Sequence, residues 1–197
     1  MTHVPSKPLT LVLAVVVTCV AAASGLAATY ALTEDRILEQ VIAARQKSLS
    51  AAVPEASSFE EVADEDVVQA AADAAGEVQV NGIYRALDDS GAPVGWGLQL
   101  GSRGYGGYMQ LVIGLDRSGS VTGVTILSMN ETPGLGTRVQ TEAWFLEQFT
   151  SLTAGFGDDE VKALDGIAGA TKSSRAVRHG AEAAGAIFSE VLAEGGE

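Results

Sequence analysis

The uncharged segment from Leu9 to Leu32 constrains the fold of this chain more than any other part of the sequence. It is roughly 24 residues long and rich in Val, Leu and Ala, whereas about 20 apolar residues in a helix are enough to cross the hydrocarbon core of a bilayer. The segment therefore predicts a membrane-spanning helix over residues 9–32. A cleaved signal peptide is the alternative, because Ala21 to Ala23 and Leu26 to Ala28 offer small-residue cleavage sites.

The charges beside this segment predict the orientation of the chain. Lys7 precedes the segment, and basic residues favour the cytoplasmic side of a membrane, although Arg36 and Arg45 lie close to its other end. Residues 1–8 are thus predicted to form a cytoplasmic tail. The protein is expected to be single-pass in the cell (inner) membrane, with the C-terminal part on the periplasmic or extracellular side.

The part beyond the apolar segment is strongly acidic. All 25 acidic residues lie from Glu34 onward with 11 of the 12 basic residues, so the formal charge there is 11 minus 25, or −14. A nucleic-acid-binding face needs clustered basic residues to meet phosphates. Nucleic acid is therefore excluded as a partner, and an acidic, solvated surface is the ordinary explanation.

Few residues in the sequence could bind a metal. Cys19 is the single cysteine, which excludes an internal disulfide and a thiolate-held iron–sulfur or zinc site. The two histidines, His3 and His179, are far apart, and His179 is predicted to be solvated. No Ser/His/Asp arrangement indicates a catalytic residue. Any redox chemistry must come from an added cofactor.

Residues 33–55 are predicted to continue as a juxtamembrane stalk helix. Leu38, Ile42, Leu49 and Val53 fall roughly on one face, and Pro54 ends the helix. We expect this apolar stripe to pack within the chain rather than against another subunit. Residues 56–197 are predicted to form the soluble domain, which begins with a loop and a short helix up to Gly76.

The soluble domain is predicted to be α+β, with an antiparallel sheet and packed helices. Four β-like runs are typical of a meander; they are Gly82–Leu87, Val94–Leu100, Met109–Leu115 and Val121–Leu127. Asp-containing turn clusters separate the first run from the second and the third from the fourth, and the glycine-rich segment Gly104–Gly107 lies between the second and the third. An amphipathic helix is predicted over Thr141–Leu152, with Trp144, Phe145 and Phe149 in the core. A second helix, Arg175–Leu192, has an apolar face composed of Val177, Ala181, Ala184, Phe188 and Val191.

A turn of small residues, Asp165 to Ser174, leads into that last helix. Ser173 or Ser174 could act as N-cap, and the free amides at a helix start favour an anion such as phosphate. A P-loop would need Gly directly before the Lys-Ser pair, but Thr171 stands there. Nucleotide hydrolysis is therefore not predicted. By itself, the turn could equally be an ordinary helix entry.

The segment from Asp165 to Val177 resembles the flavin attachment sequence of one FMN-binding domain family. That domain is shared by the G subunit of the Rnf electron transport complex and the C subunit of the sodium-pumping NADH:quinone reductase. In the family, the last Thr of a Ser/Thr-Gly-Ala-Thr motif binds FMN covalently through a phosphoester. The resemblance assigns this role to Thr171, with Gly169, Ala170, Ser173 and Ser174 around the phosphate. One position departs from the motif, because Ala168 replaces the first hydroxyl residue.

Two further strings resemble the same family. Asn130 to Gly136 is similar to its Glu-Thr-Pro-Gly-Leu-Gly loop, and Gly104 to Gly107 to a segment before its central hairpin. The resemblance places four residues of the first string beside the isoalloxazine: Glu131, Thr132, Gly134 and Leu135. Glu131 could instead cap its local turn. Tyr105 is expected to cover the core rather than to stack on flavin.

The resemblance spans about residues 30–191 and is closer to the Rnf subunit. It implies an electron-transfer subunit of a membrane-bound ion-translocating ferredoxin:NAD oxidoreductase complex, without independent turnover. Its expected partners are other membrane and iron–sulfur subunits, and a flavin transferase during maturation. Two alternatives remain: a structural or assembly subunit without flavin, and an independent exported FMN-binding reductase.

Overall fold

The computed structural model describes residues 8–193, so the predicted tail, apart from Pro8, lies outside the described residues. The helices are α1 (Pro8–Ala52), α2 (Glu65–Ala75), α3 (Arg138–Thr141), α4 (Ala143–Glu147), α5 (Asp158–Ala163) and α6 (Thr171–Ile187). A 3₁₀ turn, Gln148–Ser151, follows α4, and a π-helical turn, Phe188–Leu192, follows α6. The strands are β1 (Ser58–Glu61), β2 (Gln79–Leu87), β3 (Pro93–Arg103), β4 (Tyr108–Asp116) and β5 (Val121–Ser128).

Helix α1 is continuous through the predicted transmembrane and stalk segments. Its length and composition are sufficient for crossing a membrane, and its large apolar side chains between Leu11 and Ile42 are exposed. The chain divides into two compact units between Ala43 and Ala44, so the last nine residues of α1 belong to the second unit. The boundaries of the predicted stalk and domain, at 33–55 and 56–197, remain a prediction.

The predicted apolar stripe of the stalk packs within the chain only in its second half. Leu49 and Val53 are buried, whereas Leu38 and Ile42 are more than half exposed. The prediction of intramolecular packing is therefore wrong for Leu38 and Ile42. Both residues lie before Ala44, where the second compact unit begins, so they are outside the part of α1 that contributes to its core.

The sheet is a five-stranded antiparallel meander in the order β1-β2-β3-β4-β5, which confirms the predicted α+β class. Strands β2 to β5 match the four predicted runs, and the turns between β2 and β3 and between β4 and β5 are built alike. In the second, the Asp116 carboxylate accepts hydrogen bonds from the amides of Ser118 and Ser120 at 2.8 and 3.0 Å. Gly119 completes this turn with φ +88°, a conformation that disfavours other residues.

The main core lies between one face of the sheet and helices α2 and α6. Val177, Ala181 and Ala184 of α6 are fully buried, as their spacing predicts. The helix begins at Thr171, before the predicted start at Arg175. Helix α2 begins after Asp64, whose carboxylate accepts hydrogen bonds from the amides of Asp66 and Val67.

The opposite face of the sheet packs against the end of α1. Three glycines, Gly97, Gly114 and Gly123, are paired across β3, β4 and β5 and form a row without side chains. A Cβ atom at Gly114 would overlap the carbonyl oxygen of Ala52, and one at Gly97 would lie 2.5 Å from Leu49 Cδ2. The glycine row therefore allows the last turns of α1 to approach the backbone of the sheet.

The predicted helix Thr141–Leu152 is divided into shorter pieces. Glu142 has extended backbone between α3 and α4, and the 3₁₀ turn follows. Phe145 and Phe149 are fully buried, with ring centroids 5.6 Å apart in an edge-to-face arrangement. Trp144 is 45% exposed, so its predicted place in the core is wrong. Its indole Nε1 instead donates to Glu142 Oε2 at 2.9 Å, a contact that the break at Glu142 allows.

Candidate functional site

Helix α6 starts with free hydrogen-bond donors. Ala170 precedes it and offers no capping side chain, and within residues 8–193 the amides of Thr171, Lys172 and Ser173 have no acceptor. Gly169 forms the preceding turn with φ +82°. Because the N-terminal amides and the helix dipole favour negative charge, this helix start is suited to an anion.

The two predicted capping serines have other roles. Both are buried inside the first turn of α6, so the prediction that either is the N-cap is wrong. Ser174 Oγ accepts a hydrogen bond from the amide of Ile167 at 3.0 Å and closes the loop before the helix. Ser173 Oγ donates to Glu131 Oε2 at 2.8 Å. The burial of Ser173 and Ser174 leaves Thr171 as an exposed hydroxyl residue at the helix start.

A cavity of about 490 Å³ opens beside Thr171. This volume lies within the usual range for sites that bind small molecules, roughly 300–1,000 Å³. Its lining residues come from three segments of the chain; they are Tyr105, Glu131, Thr132, Leu135, Gly136, Gly169, Ala170, Thr171, Lys172 and Ser173. The structure thus brings together most of the residues that the family resemblance indicates.

Gly134 and Ser174 are the two predicted site residues that do not line the cavity. Gly134 has φ +75°, and its amide donates to Thr137 Oγ1 at 2.9 Å, so it shapes the turn that presents Leu135. Leu135 itself is half exposed at the cavity wall. Contacts of any of these residues with flavin remain predictions.

Glu131 joins the three segments of the site. Its Oε1 accepts hydrogen bonds from the amides of Tyr105 and Gly106 at 2.8 and 3.2 Å, while Oε2 accepts from Ser173. The residue is only 8% exposed. These bonds extend well beyond a local turn, because they link positions 25, 26 and 42 residues away in the chain.

Tyr105 and Lys172 stand together at the cavity. Tyr105 is 68% exposed, so the prediction that its ring covers the core is wrong. It belongs to a glycine-rich loop that is held by Glu131, and this loop places it away from the core. The Lys172 ammonium lies 5.4 Å from the centroid of the Tyr105 ring, within reach of a cation–π interaction. An aromatic face and a positive charge therefore border the same opening.

Arg138 supports the loop that precedes α6, a role that no sequence motif indicated. Its Nη1 donates to the carbonyl oxygen of Ala168 at 2.9 Å, and its Nε donates to Glu142. The hydrogen bond from Arg138 lowers the pKa of the Glu142 carboxyl, with a further contribution from Trp144. The ion pair of Arg138 with Glu142 joins the first residue of α3 to the residue that follows the helix. The contact with Ala168 spans 30 residues and could not be derived from the spacing.

The described part of the chain, residues 8–193, contains no group of three or more His, Cys, Asp or Glu side chains that could bind a metal ion. His179 is exposed, as predicted. The donors at the cavity are instead side-chain hydroxyls, among them that of Thr171, the free helical amides and the Lys172 ammonium. Such donors suit a phosphate, and Leu135 and Tyr105 beside them suit a planar aromatic group.

The fold and the cavity define a binding domain for a phosphate-bearing aromatic cofactor, with an apolar N-terminal helix. A comparison with protein families identifies that domain: the FMN-binding domain matches residues 104–186, which include every lining residue of the cavity. FMN combines the two chemical groups that the cavity suits.

Comparisons with individual proteins identify the family more closely. The chain is 34% identical over 182 residues to the G subunit of the ion-translocating oxidoreductase complex of Methanosarcina acetivorans, covering 87% of this chain and 90% of the relative. It is 31% identical over 169 residues to the G subunit of the Na(+)-translocating ferredoxin:NAD(+) oxidoreductase complex of Acetobacterium woodii, covering 81% of each.

A third relative is the G subunit of the proton-translocating ferredoxin:NAD(+) oxidoreductase complex of Clostridium ljungdahlii. It is 35% identical over 88 residues, covering 42% of this chain and 47% of the relative. The chain belongs to the G-subunit family of ion-translocating oxidoreductase complexes, as its motifs predict.

Proposed function

We propose that this protein is the electron-transfer subunit of a membrane-bound ion-translocating ferredoxin:NAD oxidoreductase complex and that it binds FMN covalently through Thr171. Its membership of the G-subunit family supports the role in the complex. The FMN-binding domain supports the cofactor. The observation that supports the attachment point is the exposed Thr171 at a helix start, beside a cavity of about 490 Å³.

The residues around Thr171 are suited to a phosphodiester. The amides of Thr171, Lys172 and Ser173 can donate to phosphate oxygens, and the Lys172 ammonium adds a positive charge. Leu135 offers an apolar contact to a planar ring system. FMN, when bound, would supply the electron transfer, which the side chains of this domain cannot perform themselves.

Covalent attachment needs an activated flavin donor. In the proposed step the Thr171 hydroxyl loses its proton, its Oγ forms a bond to the flavin phosphorus, and a phosphoanhydride bond of the donor breaks. A flavin dinucleotide satisfies this balance, because its nucleoside monophosphate leaves as the second product. We therefore expect a flavin transferase to load the protein during maturation.

Other subunits complete the proposed electron path. The relatives are subunits of complexes by name, and we expect membrane and iron–sulfur subunits to deliver and remove electrons, without independent turnover by this chain. We also propose that the domain faces the periplasm or cell exterior, with α1 in the cell membrane. A covalent link suits that location, because a dissociable flavin would be lost by dilution.

Intact mass and in-gel fluorescence test the attachment. The full chain would be co-expressed with its host's flavin transferase, beside the Thr171→Ala variant and the control Thr153→Ala, whose exposed side chain lies outside the cavity. Wild type and the control should gain one FMN minus one water, mapped to the peptide with Thr171, and fluoresce after denaturation. Thr171→Ala should gain nothing.

An unlabelled wild-type chain, in a host where a related subunit is labelled, would contradict the proposal and favour a structural subunit without flavin. The Ala168→Ser variant would then show whether the missing hydroxyl is the cause. Fractionation tests the location: a mature chain that keeps residues 9–32 should stay in membranes after a carbonate wash. Loss of that segment would favour an independent exported protein.

A further inference from the structure

Glu131 is a buried carboxylate that contacts the cavity and three segments of the chain. Within residues 8–193 it forms no ion pair, and its hydrogen-bond partners are the amides of Tyr105 and Gly106 and the hydroxyl of Ser173. A buried charge is retained at low cost only when hydrogen bonds satisfy it. The hydrogen bonds to the carboxylate should therefore restrain the positions of all three donor groups.

The glycines near Glu131 leave space for it. A Cβ atom at Gly104 would overlap Oε1, and one at Gly136 would overlap Oε2 and lie 2.8 Å from Ser173 Oγ. A Cβ at Gly106 would overlap the carbonyl oxygen of Asn130. Two backbone segments, at Gly104 and at Gly136, thus approach the carboxylate more closely than any residue with a side chain allows.

We propose that Glu131 is a positioning residue, which acts through Ser173 and the Tyr105 amide to hold the Thr171 hydroxyl and the Tyr105 loop in fixed positions at the flavin site. Ser173 is two residues from Thr171 in the first turn of α6, so the bond to Glu131 restrains the position of that turn. The bonds to Tyr105 and Gly106 restrain the other wall of the cavity.

This inference rests on the proposed function for its chemical consequence, but its structural consequence can be measured without flavin. Loss of the carboxylate leaves the part-buried amides of Tyr105 and Gly106 without their acceptor and frees Ser173. The helix start should then move relative to the Tyr105 loop. A displacement of about 1 Å at a reacting group can lower a rate by roughly 100-fold.

The first measurement is hydrogen exchange of the full-length chain in detergent, for wild type, Glu131→Ala, Glu131→Gln and the control Glu147→Gln. Glu147 is an exposed glutamate outside the cavity. In Glu131→Ala, the hydrogen-bonded amides of Gly104, Tyr105, Gly106 and Ser174 should exchange faster while β3 and β4 stay protected. Glu131→Gln should keep the protection, because its amide oxygen can accept both N–H groups and its nitrogen can donate to Ser173 Oγ.

The second measurement is the rate of flavin transfer to each variant as a substrate. Glu131→Ala should lower the rate at saturating chain concentration by at least about tenfold while leaving KM near the wild-type value, because the hydroxyl is misplaced rather than absent. Glu131→Gln should recover most of that rate. Ser173→Ala should be slowed as well, and the Glu131→Ala/Ser173→Ala double variant should be slower than wild type by less than the product of the two single effects.

The outcomes separate this inference from the proposed function. Wild-type exchange and a wild-type transfer rate in Glu131→Ala would overturn the positioning role, as would a Glu131→Gln variant as impaired as Glu131→Ala. Failure of wild type to accept flavin would contradict the proposed function, while the exchange measurement would still decide on Glu131. If Glu131→Ala does not fold, Ser173→Ala decides: normal exchange at residues 104–106 and at Ser174, with a normal rate, would overturn the inference.

Discussion

Replacing Gly114 by Ala should destabilise the domain by separating the end of α1 from the sheet. The added Cβ would overlap the Ala52 carbonyl oxygen and lie 2.5 Å from Thr122 Oγ1. The clash is between a Cβ atom fixed to the backbone of β4 and a backbone carbonyl of α1, so it cannot be relieved by a change of side-chain rotamer. Thr122 Oγ1 also donates to that carbonyl at 2.6 Å, and this hydrogen bond should be lost when the helix is displaced.

The expected cost is the sum of these two effects. Overpacking a tight site costs about 1–3 kcal/mol, and a typical intramolecular hydrogen bond contributes about 0.5–1.5 kcal/mol. The free energy of unfolding of Gly114→Ala should therefore fall by about 1.5–4.5 kcal/mol. Gly97→Ala should cost less, because its Cβ would meet the end of the Leu49 side chain, which can adopt another rotamer.

Urea unfolding of the full-length chain in detergent measures this change, with the buried Trp96 on β3 as fluorescent reporter. Gly157→Ala is the matched control, because its Cβ would meet only Glu160 Oε2, at 3.7 Å. A Gly114→Ala variant within about 0.5 kcal/mol of wild type would refute the tight contact between α1 and the glycine row.

Two further predictions concern the core and the response to acid. Phe149→Ala should lower the free energy of unfolding by about 3–5 kcal/mol, because its ring is fully buried, and Trp144→Ala by less than about 1 kcal/mol; the same urea titration compares them. Partial burial acts to raise the pKa of Asp116, but hydrogen bonds from Ser118 and Ser120 outweigh it, so the folded pKa lies below the unfolded one. The contribution of Asp116 to stability is therefore present above the unfolded pKa and lost as pH falls through the folded pKa. The free energy of unfolding of Asp116→Asn should consequently fall less steeply than that of wild type between about pH 5 and pH 2.

The strands and the last helix could be predicted because their apolar spacing is set by burial on one face. Strand β1 was missed, since Ser58–Glu61 is mostly exposed and acidic and is held at the sheet edge by backbone pairing with β2. The break at Glu142 was missed too, because neither Gly nor Pro marks it. Both features depend on partners that are distant in the sequence.

Sequence motifs predicted which residues belong to the site, but they did not predict the tertiary contacts between those residues. Thr171 and Glu131 were identified by resemblance, and the structure brings both to one cavity. The prediction that Ser173 or Ser174 is the N-cap was wrong because helix α6 begins earlier than its apolar spacing indicates, and tertiary packing then buries both hydroxyls. The contact of Arg138 with Ala168 depends on how two loops fold together.

The contact between α1 and the glycine row determines where this protein can be divided. Residues 44–52 continue α1 and resemble a helical linker in sequence position, but Leu49 and Ala52 form a buried cluster with Tyr84 and Val112. A soluble fragment that begins at Ala56 would leave that core and the glycine row open to solvent and prone to association. Fragments for crystallisation, and fusions that exchange the membrane anchor, should therefore join the chain at or before Ala44.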